Sequence, residues 1–153
     1  MKFFRKPPGA DKNKIPVHID HFIEKNVAGL ASPPDGKDDT PRLFFSDLLS
    51  KEDLHATSAH EFFHAIQFAY GHPGWSDSWI VESTAMLAEA KLFPASYFYL
   101  PYNYLMDINK YPLDYSVRTD PFQYGSSIFF HYLFSRADEI SEDYKSNKHN
   151  IQV

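Results

Sequence analysis

The chain has 153 residues, with 15 basic against 20 acidic side chains and a net charge of -5, which argues against a nucleic-acid-binding surface and leaves no polybasic patch for a membrane. That length suits one domain large enough to bury a core. Cysteine is absent, so disulfides and thiolate sites are excluded, and any metal must be held by histidine and carboxylate.

Residues 1–14 are rich in Lys, Pro and Gly without a hydrophobic period and read as a flexible lead-in. No apolar run of signal-peptide length follows their basic start, and nothing is long enough to span a bilayer. The expectation is a cytoplasmic protein if the chain is complete, or a fragment of an exported one. Ile15, Val17 and Ile19 alternate with Pro16, His18 and Asp20, which predicts a half-buried strand running to about Ile23. A second strand is expected over Val27 to Ala31, where Gly29 permits close approach of another backbone. After the turn at Ser32-Pro33-Pro34-Asp35-Gly36, the apolar run Arg42 to Phe45 predicts a third, buried strand.

Ser50 with Asp53 three residues on resembles a capping box, and no breaker follows until Gly71, so a helix is expected over about 51–70. Leu54, Phe62, Ile66 and Ala69 offer it apolar packing material. Within it lies His60-Glu61-Phe62-Phe63-His64. Residues four apart share a helix face, so the two imidazoles can chelate one ion while Glu61 lies beside it. That is the pattern of a metal-dependent hydrolase, although two histidines can also merely decorate a helix surface. A catalytic zinc needs a third protein ligand and an open position. The metzincin pattern is excluded, because Tyr70 stands where it needs a histidine and Gln67 where it needs a glycine. A carboxylate from a following helix is the other common arrangement, and Glu82, 18 positions after His64, is the natural candidate, with Asp77 and His72 next.

That second helix starts near Asp77 or Ser78 and extends over about 78–93, where Pro94 stops it; Glu82 and Glu89, seven apart, share a face. Ala95 to Pro121 is dense in Tyr and Pro and reads as a short helix followed by an irregular connection. A further helix is expected over about 125–137, with Ile128, Phe129, Leu133 and Phe134 marking it as buried. Residues 138–153 read as a polar tail or truncated helix. The fold class is therefore α+β, with a small sheet above the His60–His64 helix and the Glu82 helix below, as one domain over 15–137.

The stretch Trp79-Ile80-Val81-Glu82-Ser83-Thr84-Ala85, with Glu89 beyond it, resembles the glutamate helix of the gluzincins, the thermolysin-like and aminopeptidase-like zinc peptidases. The run Ala56-Thr57-Ser58-Ala59-His60-Glu61-Phe62-Phe63-His64-Ala65-Ile66-Gln67 is similar to a family of bacterial and archaeal gluzincin-type metalloproteases. The resemblance is strong over 55–93 and weaker over 15–50 and 121–134. It implies a zinc peptidase with His60, His64 and Glu82 as ligands, Glu61 as general base and Glu89 supporting a ligand histidine. Tyr124, ahead of Gly125, resembles the tyrosine that hydrogen-bonds the oxyanion in many gluzincins, though several families place it three residues before the glycine, where this chain has Phe122. His131 is the competing donor and reads otherwise as a structural histidine. His18, His21, His55 and His72 have no spacing that demands a metal. The implied partner is a peptide or protein substrate, and the alternative is a non-enzymatic interaction domain that keeps zinc for structure.

Overall fold

A computed structural model describes residues 5–11, 14–22, 27–37, 39–71, 78–94, 110–115 and 122–137. Three short strands form one mixed sheet: β1 (Val17–Asp20), β2 (Gly29–Ser32) and β3 (Arg42–Ser46), in the order β1-β3-β2. β3 is central, parallel to β1 with Val17 opposite Leu43, and antiparallel to β2 with Gly29 opposite Phe45. Its central place matches the apolar run, for Leu43 and Phe45 are each 4% exposed. Burying such side chains stabilises the fold by about 1.5–3 kcal/mol apiece.

The expected 51–70 helix is α1 (Lys51–Gln67), tightened into a 3₁₀ turn over Phe68–Tyr70 and ended by Gly71 at φ 115°, a conformation suited to glycine. Ser50 caps it, its Oγ accepting from the Asp53 N–H at 3.1 Å and donating to the Asp53 carboxylate at 2.7 Å. Such a cap is worth about 1 kcal/mol. α1 packs on β2 and β3 on one side and on α2 (Ser78–Leu92) on the other, so it is the middle layer of an α+β fold. Ala65 joins Leu43 and Phe45 in the core under the sheet, with Ile15, Ala31, Leu49 and Leu54 around them. Small residues are prominent among the buried positions of the two helices: Ala56 and Ala59 on α1, and Ser83, Ala85 and Ala90 on α2.

The chain then enters α3, a single turn over Phe122–Gly125, and after Ser126 is helical again over 127–137. The break has a partner, for the buried Ser126 hydroxyl donates to the Leu113 carbonyl at 3.1 Å. α3 is pinned to α2, the Ser83 Oγ donating to the Gln123 carbonyl at 2.7 Å.

Several expectations change. β1 is exposed at all four positions rather than half-buried, because α1 packs across β2 and β3 while β1 lies at the far edge. The end of its expected span, from Ile23, lies outside the described residues, as do 72–77, 95–109 and the tail from 138. The last helix is buried only where it begins. Phe122, Ser126 and Ser127 are enclosed and the Phe130 ring lies tilted beside Trp79 at 5.8 Å between centroids, but Phe129, Leu133 and Phe134 are all exposed. Phe62 is exposed too, on the side of α1 turned from both layers. Arg5, within the expected lead-in, contacts the 3₁₀ turn after α1: its N–H donates to the Tyr70 hydroxyl at 2.9 Å and its guanidinium to the Ala69 carbonyl at 3.2 Å. No helix among the described residues is long and apolar enough to cross a membrane.

Candidate metal centre

As the middle layer, α1 shows different side chains to its two neighbours. Thr57, Glu61 and Ala65, spaced by four, lie against the sheet, where a Cβ placed on Gly29 of β2 would meet Thr57 Cγ2 at 2.7 Å and Glu61 Oε1 at 2.9 Å. Where another backbone was expected to approach Gly29, the side chains of Thr57 and Glu61 do so instead. His60, His64 and Gln67 lie against α2. One residue of offset turns the helix by about 100°, which separates a carboxylate facing a strand from imidazoles facing a helix.

The structure brings His60, His64 and Glu82 together. Glu82 Oε2 lies 3.2 Å from His60 Nε2 and 3.6 Å from His64 Nε2, and the three candidate ligand atoms fall within 4.8 Å of one another. Ligands of a tetrahedral zinc about 2.0–2.1 Å from the ion stand about 3.3 Å apart, so the donor types suit the ion and the two separations from Glu82 are close to its spacing. The spacing-based choice of Glu82 thus lands on the helix face that meets the histidines. Asp77 and His72 lie outside the described residues. Glu89, two turns further along α2, has Oε2 at 3.5 Å from His60 Nδ1, the ring nitrogen turned away from Glu82. A carboxylate there orients the ring and raises its basicity.

The electrostatics divide the carboxylates. Burial alone raises the pKa of Glu82, but His60 and His64 overcome it and hold the group at about 2. Burial alone would lower His60; its bonds to Glu82 and Glu89 reverse this and push it up to about 10. Glu61 goes the other way from Glu82. Burial raises its pKa, opposed by the two histidines and by the Ala31 N–H that donates to its carboxylate. The Ala31 bond follows from the sheet register. Ser46 donates to Ala28, so in the antiparallel pair the main-chain groups of Leu30 also point at β3, and those of Gly29 and Ala31 point away from it, where the Ala31 N–H meets Glu61.

Tyr124 is carried to the same region by α3. It packs on Met86 and Ala90, with its ring centroid 6.2 Å from that of His60. Phe122, at the alternative tyrosine position, is buried against Tyr111 and Tyr115. His131 lies near Lys91, beside the end of α2 distant from Glu82; burial first and then Lys91 lower its pKa. The remaining described histidines have other partners: His18 stacks on Phe44, His21 pairs with Asp47, and His55 stacks on Phe93.

From sequence Gln67 has no role of its own: it stands where a metzincin glycine is missing and closes the run that resembles the gluzincin-type family. In the structure its Oε1 lies 2.6 Å from His64 Nδ1, and its Nε2 donates to the Val81 carbonyl and to Thr84 Oγ1, both at 2.9 Å. The available signal was its place three residues after a ligand histidine, one turn along the same face. Comparison with protein-family models, with curated proteins and with solved structures finds no match to this chain.

Proposed function

We propose that the chain is a zinc-dependent hydrolase of peptide bonds, with the ion held by His60, His64 and Glu82 and with Glu61 as general base. The observation that carries this reading is the convergence of those three side chains from two helices, with a buried carboxylate of raised pKa on the adjoining face. A bound zinc supplies Lewis acidity toward a carbonyl oxygen and acidifies water to near neutral pH.

The rest is done by the chain's own residues. Glu61 takes the proton from the attacking water at its carboxylate and hands it to the departing amine, a double role that a pKa raised toward neutrality serves. The Ala31 N–H orients that carboxylate, and Gly29 leaves it room. Glu89 steadies the His60 ring. Tyr124, a neutral phenol beside His60, donates to the oxygen that gathers negative charge as the carbonyl is attacked. β2 is an edge strand of the sheet. An extended substrate laid along it would add a strand and bring its backbone past Glu61.

A purely structural zinc site has no use for a carboxylate base beside an open metal position, so Glu61 separates this reading from that of an interaction domain. The test is metal analysis of protein purified without added metal, beside hydrolysis of a mixed peptide library. About one zinc per chain together with cleavage supports the hydrolase; zinc without any cleavage favours the interaction domain.

A further inference from the structure

Gln67 bonds to a candidate ligand on its own helix and to the backbone and a hydroxyl of the helix that carries Glu82. The orientation of its amide is dictated by its partners. The Val81 carbonyl can only accept. Thr84 Oγ1 has one proton, which it gives to the Ile80 carbonyl at 2.6 Å, so toward Gln67 it too accepts. Both protons of the Gln67 Nε2 are therefore spent on α2, and the atom at 2.6 Å from His64 must be the carbonyl Oε1. Turning the amide over would set Oε1 against the Val81 carbonyl and leave an amide proton with no acceptor there. A carbonyl oxygen accepts only, so His64 Nδ1 carries a proton and Nε2 is the nitrogen left to meet an ion. Nε2 is the nitrogen that faces Glu82 Oε2 at 3.6 Å.

We propose that Gln67 is a positioning residue of the metal centre: it selects the His64 tautomer that presents Nε2 to the ion, and it locks that ring to the helix carrying Glu82. This rests on the metal-binding reading above and deepens it. His60 and His64 are then held by different devices. His60 has a carboxylate from α2 behind it, whereas His64 has a neutral amide from its own helix, itself anchored on α2. An ordered amide adds no negative charge behind the second ligand. A partner behind a ligating histidine is typically worth about 10- to 100-fold in metal affinity.

The test uses Gln67→Leu and Gln67→Glu, read by zinc competition against a chromophoric chelator and by the ring ¹⁵N shifts of His64 in metal-free protein. Wild type should show the Nδ1–H tautomer of His64, a measurement that needs no variant. Gln67→Leu should weaken zinc binding by about 10- to 100-fold and leave the His64 tautomers mixed. Gln67→Glu keeps an acceptor on Nδ1 while losing both donors to α2, so it should recover affinity relative to Gln67→Leu even as thermal stability falls. If the residue only clamps the helices, Gln67→Glu will bind zinc no better than Gln67→Leu, and the proposal fails. An Nε2–H tautomer in wild type, or unchanged affinity and tautomer in Gln67→Leu, also overturns it. A wild type that takes up no zinc sinks the hydrolase reading instead, while the tautomer still decides whether Gln67 governs the ring.

Discussion

Glu61 and Glu82 are both shielded carboxylates within reach of the same two histidines, yet the protein drives them in opposite directions. Glu82 projects from α2 onto the imidazoles and is held at about 2, ionised and ready to ligate. Glu61, on the sheet-facing side of α1, touches the edge of β2; burial dominates there and its pKa rises. Direct bonds to two imidazoles outweigh desolvation, whereas charge acting across a helix turn does not. Titratable groups whose environments push them apart in this way suit different chemical roles, here the proposed ligand and the proposed base.

The largest effect should come from removing the ligand side of that contrast. Glu82→Ala and His60→Ala should each lose most of the zinc, measured by elemental analysis after purification without added metal, and all activity that depends on it. Full zinc retention in Glu82→Ala would move the third ligand elsewhere, with Asp77 and His72 next to be replaced. Tyr124→Phe should lower kcat by about 10²- to 10³-fold with zinc unchanged, because one donor to the developing oxyanion is gone. His131→Ala serves as its comparison and should mainly reduce stability, since His131 sits by Lys91 at the other end of α2. If the two outcomes are reversed in folded, zinc-loaded protein, the roles must be exchanged.

Gly29→Ala tests the sheet side. Its Cβ would fall 2.8 Å from Glu61 Cγ, inside any real contact, so the carboxylate must shift by a few tenths of an ångström or more. A loss of about 10- to 100-fold in kcat is expected with KM and zinc content little changed. Unchanged kcat would show that the strand does not seat the base.

The smallest effect is in the pH dependence of the metal-free protein's stability. Glu82 is depressed from 4.5 to about 2, so its contribution is complete above pH 4.5 and is lost as the pH falls toward 2. His60 is raised from 6.5 to about 10, so its contribution is complete below pH 6.5 and is lost as the pH rises toward 10. Glu61 is raised, so folding favours its neutral form and stability declines as the pH rises above 4.5. Thermal melts in chelator should therefore give the highest Tm between about pH 4.5 and 6.5, falling on both sides. With zinc the alkaline decline should shrink, because the ion takes the place of the His60 proton and binds only the folded chain. An alkaline decline that is the same with and without zinc would contradict His60 as a ligand.

The cluster of His60, His64 and Glu82 was legible because helical periodicity converts spacing into geometry. The intervals from His60 to His64 and from Glu82 to Glu89 name side chains on shared faces, and a break near Gly71 returns the second helix against the first. What stayed hidden depends on which layer covers which. The alternation in Val17 and Ile19 is real, and by register both share the face of Leu43 and Phe45, but whether that face is covered depends on where α1 crosses the sheet. The same holds for Phe129 and Leu133, whose apolar character says nothing about whether a neighbour reaches them. Gln67 is a surface-compatible residue in any periodicity count, and only the seating of α2 reveals its three bonds.

The most direct test of the central claim compares wild type with Glu61→Gln, both zinc-loaded to the same measured stoichiometry, on a broad peptide library. The amide keeps the shape of the side chain and removes the base. Wild type should cleave, and Glu61→Gln should retain its zinc and its melting behaviour while turnover falls by about 10²- to 10⁴-fold. Equal turnover in the two proteins, or no cleavage by zinc-loaded wild type, would contradict the assignment of this site as a hydrolase centre with Glu61 as its base.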